Sequence, residues 1–214
     1  MKEPQIRIYT GKIHIWTENL EEKGRRRESA CGRLLLALGL CEMGRGELLR
    51  GAEHFSEVLD ILDSLTIEGE HGKPCFREYP WIQFNISHSG GYGACAVTSI
   101  PCGLDIQEIR KFRGSRILER TMTEQEQKQI RSSPDPYLEF SRLWAKKESM
   151  VKLTGEGLTR SLKELETPAW LETFEHLPAY TGCICADTRC QVYIEEAVPE
   201  RLEQALRKER KRHC

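Results

Sequence analysis

The segment DPYLEFSRLWAKKESMVKLTG, from Asp135 to Gly155, constrains the fold of this chain more than any other. Asp135 can accept from the free N–H groups of a first helical turn, Pro136 suits the first helical position, and Gly155 or Gly157 can end the helix. Phe140, Trp144, Glu148 and Lys152 recur every fourth residue, so two aromatics, a carboxylate and an ammonium share one stripe. Charges on a core-facing stripe need partners, because an unpaired buried charge is costly. Two readings stay open on the helix alone. Glu148 and Lys152 form an internal pair at the helix edge, or Glu148 is a metal ligand beside a cation that handles phosphate.

A second charged feature lies in GLDIQ, residues 103–107. In a strand, Leu104 and Ile106 face one way and Asp105 and Gln107 the other, about 7 Å apart along the chain. Two oxygen-bearing side chains so placed suit one hard cation such as Mg²⁺, or a polar strand end facing solvent. Upstream, NISHSGGYG sets Ser87, His88 and Ser89 before Gly90, Gly91 and Gly93, at a turn where backbone N–H groups can approach an anion. It is neither a P-loop nor a dinucleotide fingerprint. Consecutive Ser and His in extended chain point apart, which argues against a catalytic dyad and leaves His88 as a donor to phosphate or as a structural residue. Gly72 and Pro74 bracket Lys73 in a turn-rich stretch.

The rest of the chain mixes helix and strand within each half, so α+β is expected rather than a doubly wound parallel sheet. Residues 5–16 carry two β-type runs, Ile6–Ile8 and Ile13–Ile15, around Thr10-Gly11, which predicts a hairpin or a bent strand. Helices are predicted from the basic run before Glu28 to Gly44, more weakly over the following twenty residues, and again after Thr123, where Thr123 and Glu126 match a capping box. Residues 81–109 read as a glycine-rich turn and two strands joined at Ser99-Ile100-Pro101. A strand pair near 181–195 turns at Asp187-Thr188-Arg189, and a charged helix closes the chain. Cys183, Cys185 and Cys190 lack the paired spacing of a zinc site, and the other scattered cysteines read as small apolar residues. A net charge of −1 gives no basic field for nucleic acid, and no apolar run has bilayer length. The N-terminus has no signal-peptide core, so a cytoplasmic protein is expected.

Taken in order, GKP at 72–74, FNISHSG at 84–90, GLDIQ at 103–107 and the F-x-x-x-W-x-x-K-E-S-x-x-K-x-x-G-x-G pattern from Phe140 to Gly157 resemble 4′-phosphopantetheinyl transferases of the Sfp type. This larger branch has a pseudo-duplicated fold. The resemblance implies two similar α+β lobes related by a pseudo-twofold, residues 1–104 and 105–214, with coenzyme A and Mg²⁺ in the cleft between them. It implies transfer of the phosphopantetheine arm of coenzyme A to a serine of an apo acyl or peptidyl carrier protein, releasing adenosine 3′,5′-bisphosphate. By matching position, Asp105, Gln107 and Glu148 would hold the metal. Glu148 would also deprotonate the serine, and Lys152 would neutralise or protonate the departing phosphate. Ser87 and His88 would contact the 3′-phosphate region, Lys73 and Pro74 the adenosine end, and Arg33 a phosphate, with the basic run Lys23 to Arg27 assisting.

Two positions depart from the family pattern. Gln107 stands where many members have glutamate, which removes one negative charge from the metal. Met122 replaces the usual phenylalanine as core filling. The branch carries both half-sites in one chain, so a monomer is expected, with the region after Gly157, including Leu158 and Leu162, docking the carrier. The rival readings are a non-catalytic module that binds coenzyme A or a carrier, and a Mg²⁺-dependent phosphohydrolase.

Overall fold

The computed structural model describes residues 3–20, 26–69, 72–111, 115–155 and 161–211. The chain runs through strand β1 (Gln5–Lys12), the single turn α1 (Ile13–Trp16), helix α2 (Arg27–Glu42), a 3-10 turn (Gly46–Leu49) and helix α3 (Phe55–Leu65). Two short strands, β2 (Thr66–Glu68) and β3 (Pro74–Phe76), precede β4 (Gln83–Ser89), β5 (Tyr92–Thr98) and β6 (Cys102–Glu108). Helices α4 (Ser115–Thr121), α5 (Glu124–Ser132) and α6 (Pro136–Thr154), strands β7 (Trp170–Phe174), β8 (Tyr180–Ala186) and β9 (Gln191–Glu196), and helix α7 (Pro199–Lys211) complete it. The fold is mixed α and β. One sheet has the order β4-β5-β1-β9, a second β6-β8-β7, and β2 pairs with β3 alone. Every pairing is antiparallel except β1 with β9.

Two apolar layers explain the pattern of the chain. Tyr9, Cys95 and Val97 turn to one face of the first sheet and pack with Leu34, Leu35 and Leu38 of α2. Ile6, Ile8, Ala94 and Ala96 turn to the other and pack with Leu104, Ile106 and Ile184 of the second sheet. Alternate residues of β1 and β5 therefore feed two cores, which is why both strands are apolar on both faces. Met122 is fully buried with Ile130 and Phe140, between α5 and the start of α6.

Several elements differ from expectation. Ile13 to Trp16 form a helical turn rather than a second β run, because Trp16 folds back over Gly11 and its indole N–H donates to the Ala197 carbonyl at 3.2 Å. The turn-rich stretch around Gly72 contains the hairpin β2–β3, and a further strand, β4, precedes the glycine-rich turn, while the two strands joined at Ser99-Ile100-Pro101 are β5 and β6. The strand pair expected near 181–195 does not exist as a pair: β8 joins β6 and β7, whereas β9 crosses to lie parallel to β1. The boundary expected after residue 104 falls inside β6. Asp135, Pro136 and the Thr123–Glu126 capping box sit as their residue types require, and Gly155 closes α6 at φ 76. Gly157 lies outside the described residues.

The packing of α6 on β6 places the site, and Gly103 permits it. A Cβ at Gly103 would overlap the Ser149 carbonyl oxygen and stand 2.6 Å from the Leu153 amide nitrogen. These are backbone atoms that cannot turn aside. Gly103→Ala should therefore destabilise the protein by about 1–3 kcal/mol through a forced shift of α6, seen as a lower denaturation midpoint in urea. An unchanged midpoint would show that α6 does not lie this close in solution.

Candidate active site

Strands β4 and β6 belong to different sheets, yet side chains lace them together. The β6 amides of Leu104, Ile106 and Glu108 donate to Asn85 Oδ1 at 3.0 Å, Ser87 Oγ at 3.2 Å and Ser89 Oγ at 3.0 Å. Three short polar side chains at alternate positions thus replace the carbonyl ladder of a missing strand and satisfy the β6 edge. The alternation Asn-x-Ser-x-Ser was the signal in the sequence that could have revealed this seam.

Asp105 is the hub of the site. Its side chain is only 4% exposed. Oδ1 accepts from Ser87 Oγ at 2.8 Å and from Lys152 Nζ at 2.7 Å, and Oδ2 accepts from Gln107 Nε2 at 2.7 Å. Lys152 therefore reaches across from α6 to Asp105, and the internal Glu148–Lys152 pair is not what the helix stripe builds. Glu148, one turn earlier on α6, is half-buried, and among the described residues its carboxylate accepts no hydrogen bond. Burial first, and then the negative charge of Asp105, push its pKa up, while Lys152 opposes them.

The other expected residues divide. Lys73 and Pro74 line an open cleft of about 250 Å³ together with Ile86, Val151 and Lys152. The Lys73 ammonium donates to the Cys102 carbonyl at 3.1 Å and the Leu153 carbonyl at 3.2 Å. It ties the GKP turn to the start of β6 and the end of α6, and burial lowers its pKa. Ser87 points into the seam at Asp105 and is 2% exposed, whereas His88 is exposed and, by the strand period, faces with Ile86 toward α2. Arg33 of α2 forms an ion pair with Asp63 of α3. Leu162, expected on a docking surface, is buried, and its carbonyl accepts from Lys147 Nζ at 2.6 Å. Leu158 and Lys23 to Arg25 lie outside the described residues.

Sequence reasoning missed Lys147, whose buried ammonium also pairs with Glu126 Oε1 at 3.0 Å. Glu126 Oε2 meanwhile accepts from the Thr123 amide at 2.7 Å, so one carboxylate caps α5 and holds α6 to it. Cys183 and Cys185 lie buried on β8 with thiols pushed up by burial to about 11 and about 12.

The resemblance implies a divalent cation at this site. Asp105 and Glu148 are carboxylates within range of each other's charge, and Glu148 lacks a hydrogen-bond donor among the described residues. That pair fits Mg²⁺, which takes one or two carboxylates and completes its shell with water and phosphate oxygens. Among the described residues no group of three or more His, Cys, Asp or Glu side chains could hold a metal by itself. The phosphates of a substrate would therefore be part of the site.

The chain is similar in sequence to known 4′-phosphopantetheinyl transferases. Residues 101–196 match the model of the 4′-phosphopantetheinyl transferase superfamily. The chain is 33% identical over 144 residues to 4′-phosphopantetheinyl transferase psf-1 of Bacillus pumilus, covering 58% of this chain and 61% of that protein. It is 30% identical over 147 residues to 4′-phosphopantetheinyl transferase Sfp of Bacillus subtilis, covering 60% and 65%. A longer match, 27% identical over 206 residues, covers 84% of this chain and 85% of 4′-phosphopantetheinyl transferase HetI of Nostoc. The chain thus spans under two thirds of the length of the two Bacillus relatives. The residues that match this superfamily, 101–196, include Asp105, Gln107, Glu148 and Lys152.

Proposed function

We propose that the chain transfers the 4′-phosphopantetheine group of coenzyme A to a serine of an apo acyl or peptidyl carrier protein. The observation that carries this reading is the pair of carboxylates, Asp105 and Glu148, the latter accepting no hydrogen bond among the described residues, set beside Lys152 at the wall of an open cleft. Two lobes related by a pseudo-twofold flank that cleft in this reading. In support, α2 packs on the antiparallel strands β4, β5 and β1, and α6 packs on β6, β8 and β7.

Coenzyme A lies in the cleft, its adenosine end against Lys73 and Pro74 and its 3′-phosphate toward His88, with Ser87 behind the seam. Arg33 meets a phosphate by sharing the guanidinium that Asp63 now holds. Asp105 and Glu148 would hold Mg²⁺, with Gln107 beside Asp105, and bound there it would supply positive charge to the pyrophosphate oxygens. Glu148 takes the proton of the carrier serine as the general base. The serine Oγ–phosphorus bond forms as the phosphorus–oxygen bond to the nucleotide breaks. Lys152 neutralises the charge left on adenosine 3′,5′-bisphosphate. The protein acts as a monomer in the cytoplasm, and neither nucleic acid nor a membrane is a partner. Among the described residues no helix is long and apolar enough to cross a membrane.

Incubation with coenzyme A, Mg²⁺ and an apo carrier protein should add one phosphopantetheine to the carrier, read as a mass gain. Coenzyme A binding with no gain on any of several carriers would favour a binding module. Breakdown of coenzyme A without transfer would favour a hydrolase.

A further inference from the structure

Gln107 occupies the position from which a third metal ligand would come, and its geometry is that of a donor. Its amide nitrogen, not its carbonyl oxygen, faces the site, 2.7 Å from Asp105 Oδ2. Among the described residues Asp105 Oδ2 accepts no other hydrogen bond, whereas Oδ1 already takes two, from Ser87 and Lys152. The side-chain N–H of Gln107 is thus what fixes the second oxygen of the carboxylate. The opposite strand adds an independent observation. Thr181 of β8 stands directly across from Gln107, and among the described residues its buried side-chain hydroxyl has no hydrogen-bond partner. Directly opposed residues on one face have Cβ atoms about 4.5–5.5 Å apart, so a polar side chain neighbours Gln107 on this face without being bonded to it. A glutamine turned the other way would confront the Asp105 carboxylate with its oxygen.

We infer that Gln107 is a positioning residue: it orients Asp105 through its amide N–H and does not ligate the metal. The inference rests on the reading of Asp105 and Glu148 as the metal-holding pair. The ion then has two protein ligands, both carboxylates, and fills its remaining positions with water and phosphate oxygens. The uncharged amide acts on the metal only through the aim of Asp105, as outer hydrogen-bond partners of metal ligands do.

Mn²⁺ provides the probe, because its bound waters can be counted from line broadening in ¹⁷O-enriched water. The native protein with coenzyme A should bind Mn²⁺, and Gln107→Met, which keeps the length but removes the donor, should weaken that binding about 10-fold. The number of Mn²⁺-bound waters should stay the same. A gain of one water in Gln107→Met would overturn the inference, because a departed ligand is replaced by water. An unchanged Mn²⁺ affinity would also overturn it, while leaving the metal site intact. Failure of the native complex to bind Mn²⁺ at all would overturn it together with the functional reading. Ser87→Ala removes one of the two donors on the other oxygen of Asp105 and should reproduce the phenotype, weaker Mn²⁺ at constant hydration. Altered hydration in Ser87→Ala would again count against positioning by hydrogen bonds.

Discussion

Asp105→Ala should lower the stability of the metal-free protein by about 3 kcal/mol and abolish transfer. Asp105 is nearly fully buried and receives three hydrogen bonds from three separate segments: Ser87 on β4, Gln107 on its own strand and Lys152 on α6. Its deletion leaves an ammonium, a hydroxyl and an amide without their common acceptor. Breaking a buried ion pair by removing one partner typically costs about 3–5 kcal/mol. The lower end applies because the Lys152 side chain is 26% exposed and can turn to water. Urea denaturation in EDTA measures the loss, and a change below about 1 kcal/mol would show that the network is not held in solution. Asp105→Asn separates structure from chemistry. It keeps an acceptor for Ser87 and Lys152, so most of the stability should return, while the charge that attracts the metal stays absent and transfer stays lost.

The parts of this site that follow from short spacing were legible in the sequence. A period of two put Asp105 and Gln107 on one face of a strand, and a period of four put Glu148 and Lys152 on one stripe of a capped helix. The partner of Lys152 was not legible. An internal bond to Glu148 and a bond to Asp105 are equally consistent with the helix alone. What decides between them is the close approach of α6 to β6, which depends on the missing Cβ of Gly103. The role of Ser87 was hidden for the same reason: its hydroxyl serves a strand from a different sheet, nineteen residues on.

Long-range pairing also explains the errors in the fold. Ile13, His14, Ile15 and Trp16 alternate like a strand, and only the anchoring of Trp16 on the distant Ala197 carbonyl turns them into a helical turn. The segment after Cys190 has strand composition, but no local feature says that it crosses to β1 instead of returning along β8. Helices with their own caps were readable because the cap and the helix lie in the same few residues. That holds for α5 and α6. Sheet order requires contacts that no short window contains.

Glu148→Gln should sharply lower transfer and yet stabilise the metal-free protein, the opposite sign to the stability change in Asp105→Ala. Glu148 has no hydrogen-bond donor among the described residues, and burial together with the charge of Asp105 raises its pKa. The folded state therefore binds its proton more tightly than the unfolded chain does. With more protons on the folded form, stability falls as pH rises from the ordinary carboxylate value, about 4.3, through the raised folded value, and the full penalty persists above it. A neutral amide of the same shape escapes that penalty. The variant should melt about 1–2 °C higher than the native protein at pH 7 in EDTA, a small rise because Glu148 is only half-buried. The difference should shrink as pH falls through the same window, where native Glu148 takes up its proton. Saturating Mg²⁺ with coenzyme A should reverse the order, because only the native carboxylate gains the ion. Loss of the base should lower transfer by at least about 10²-fold. A variant less stable than the native protein at pH 7 without metal would mean that Glu148 has a partner in solution and is not the strained carboxylate on which the proposed chemistry depends.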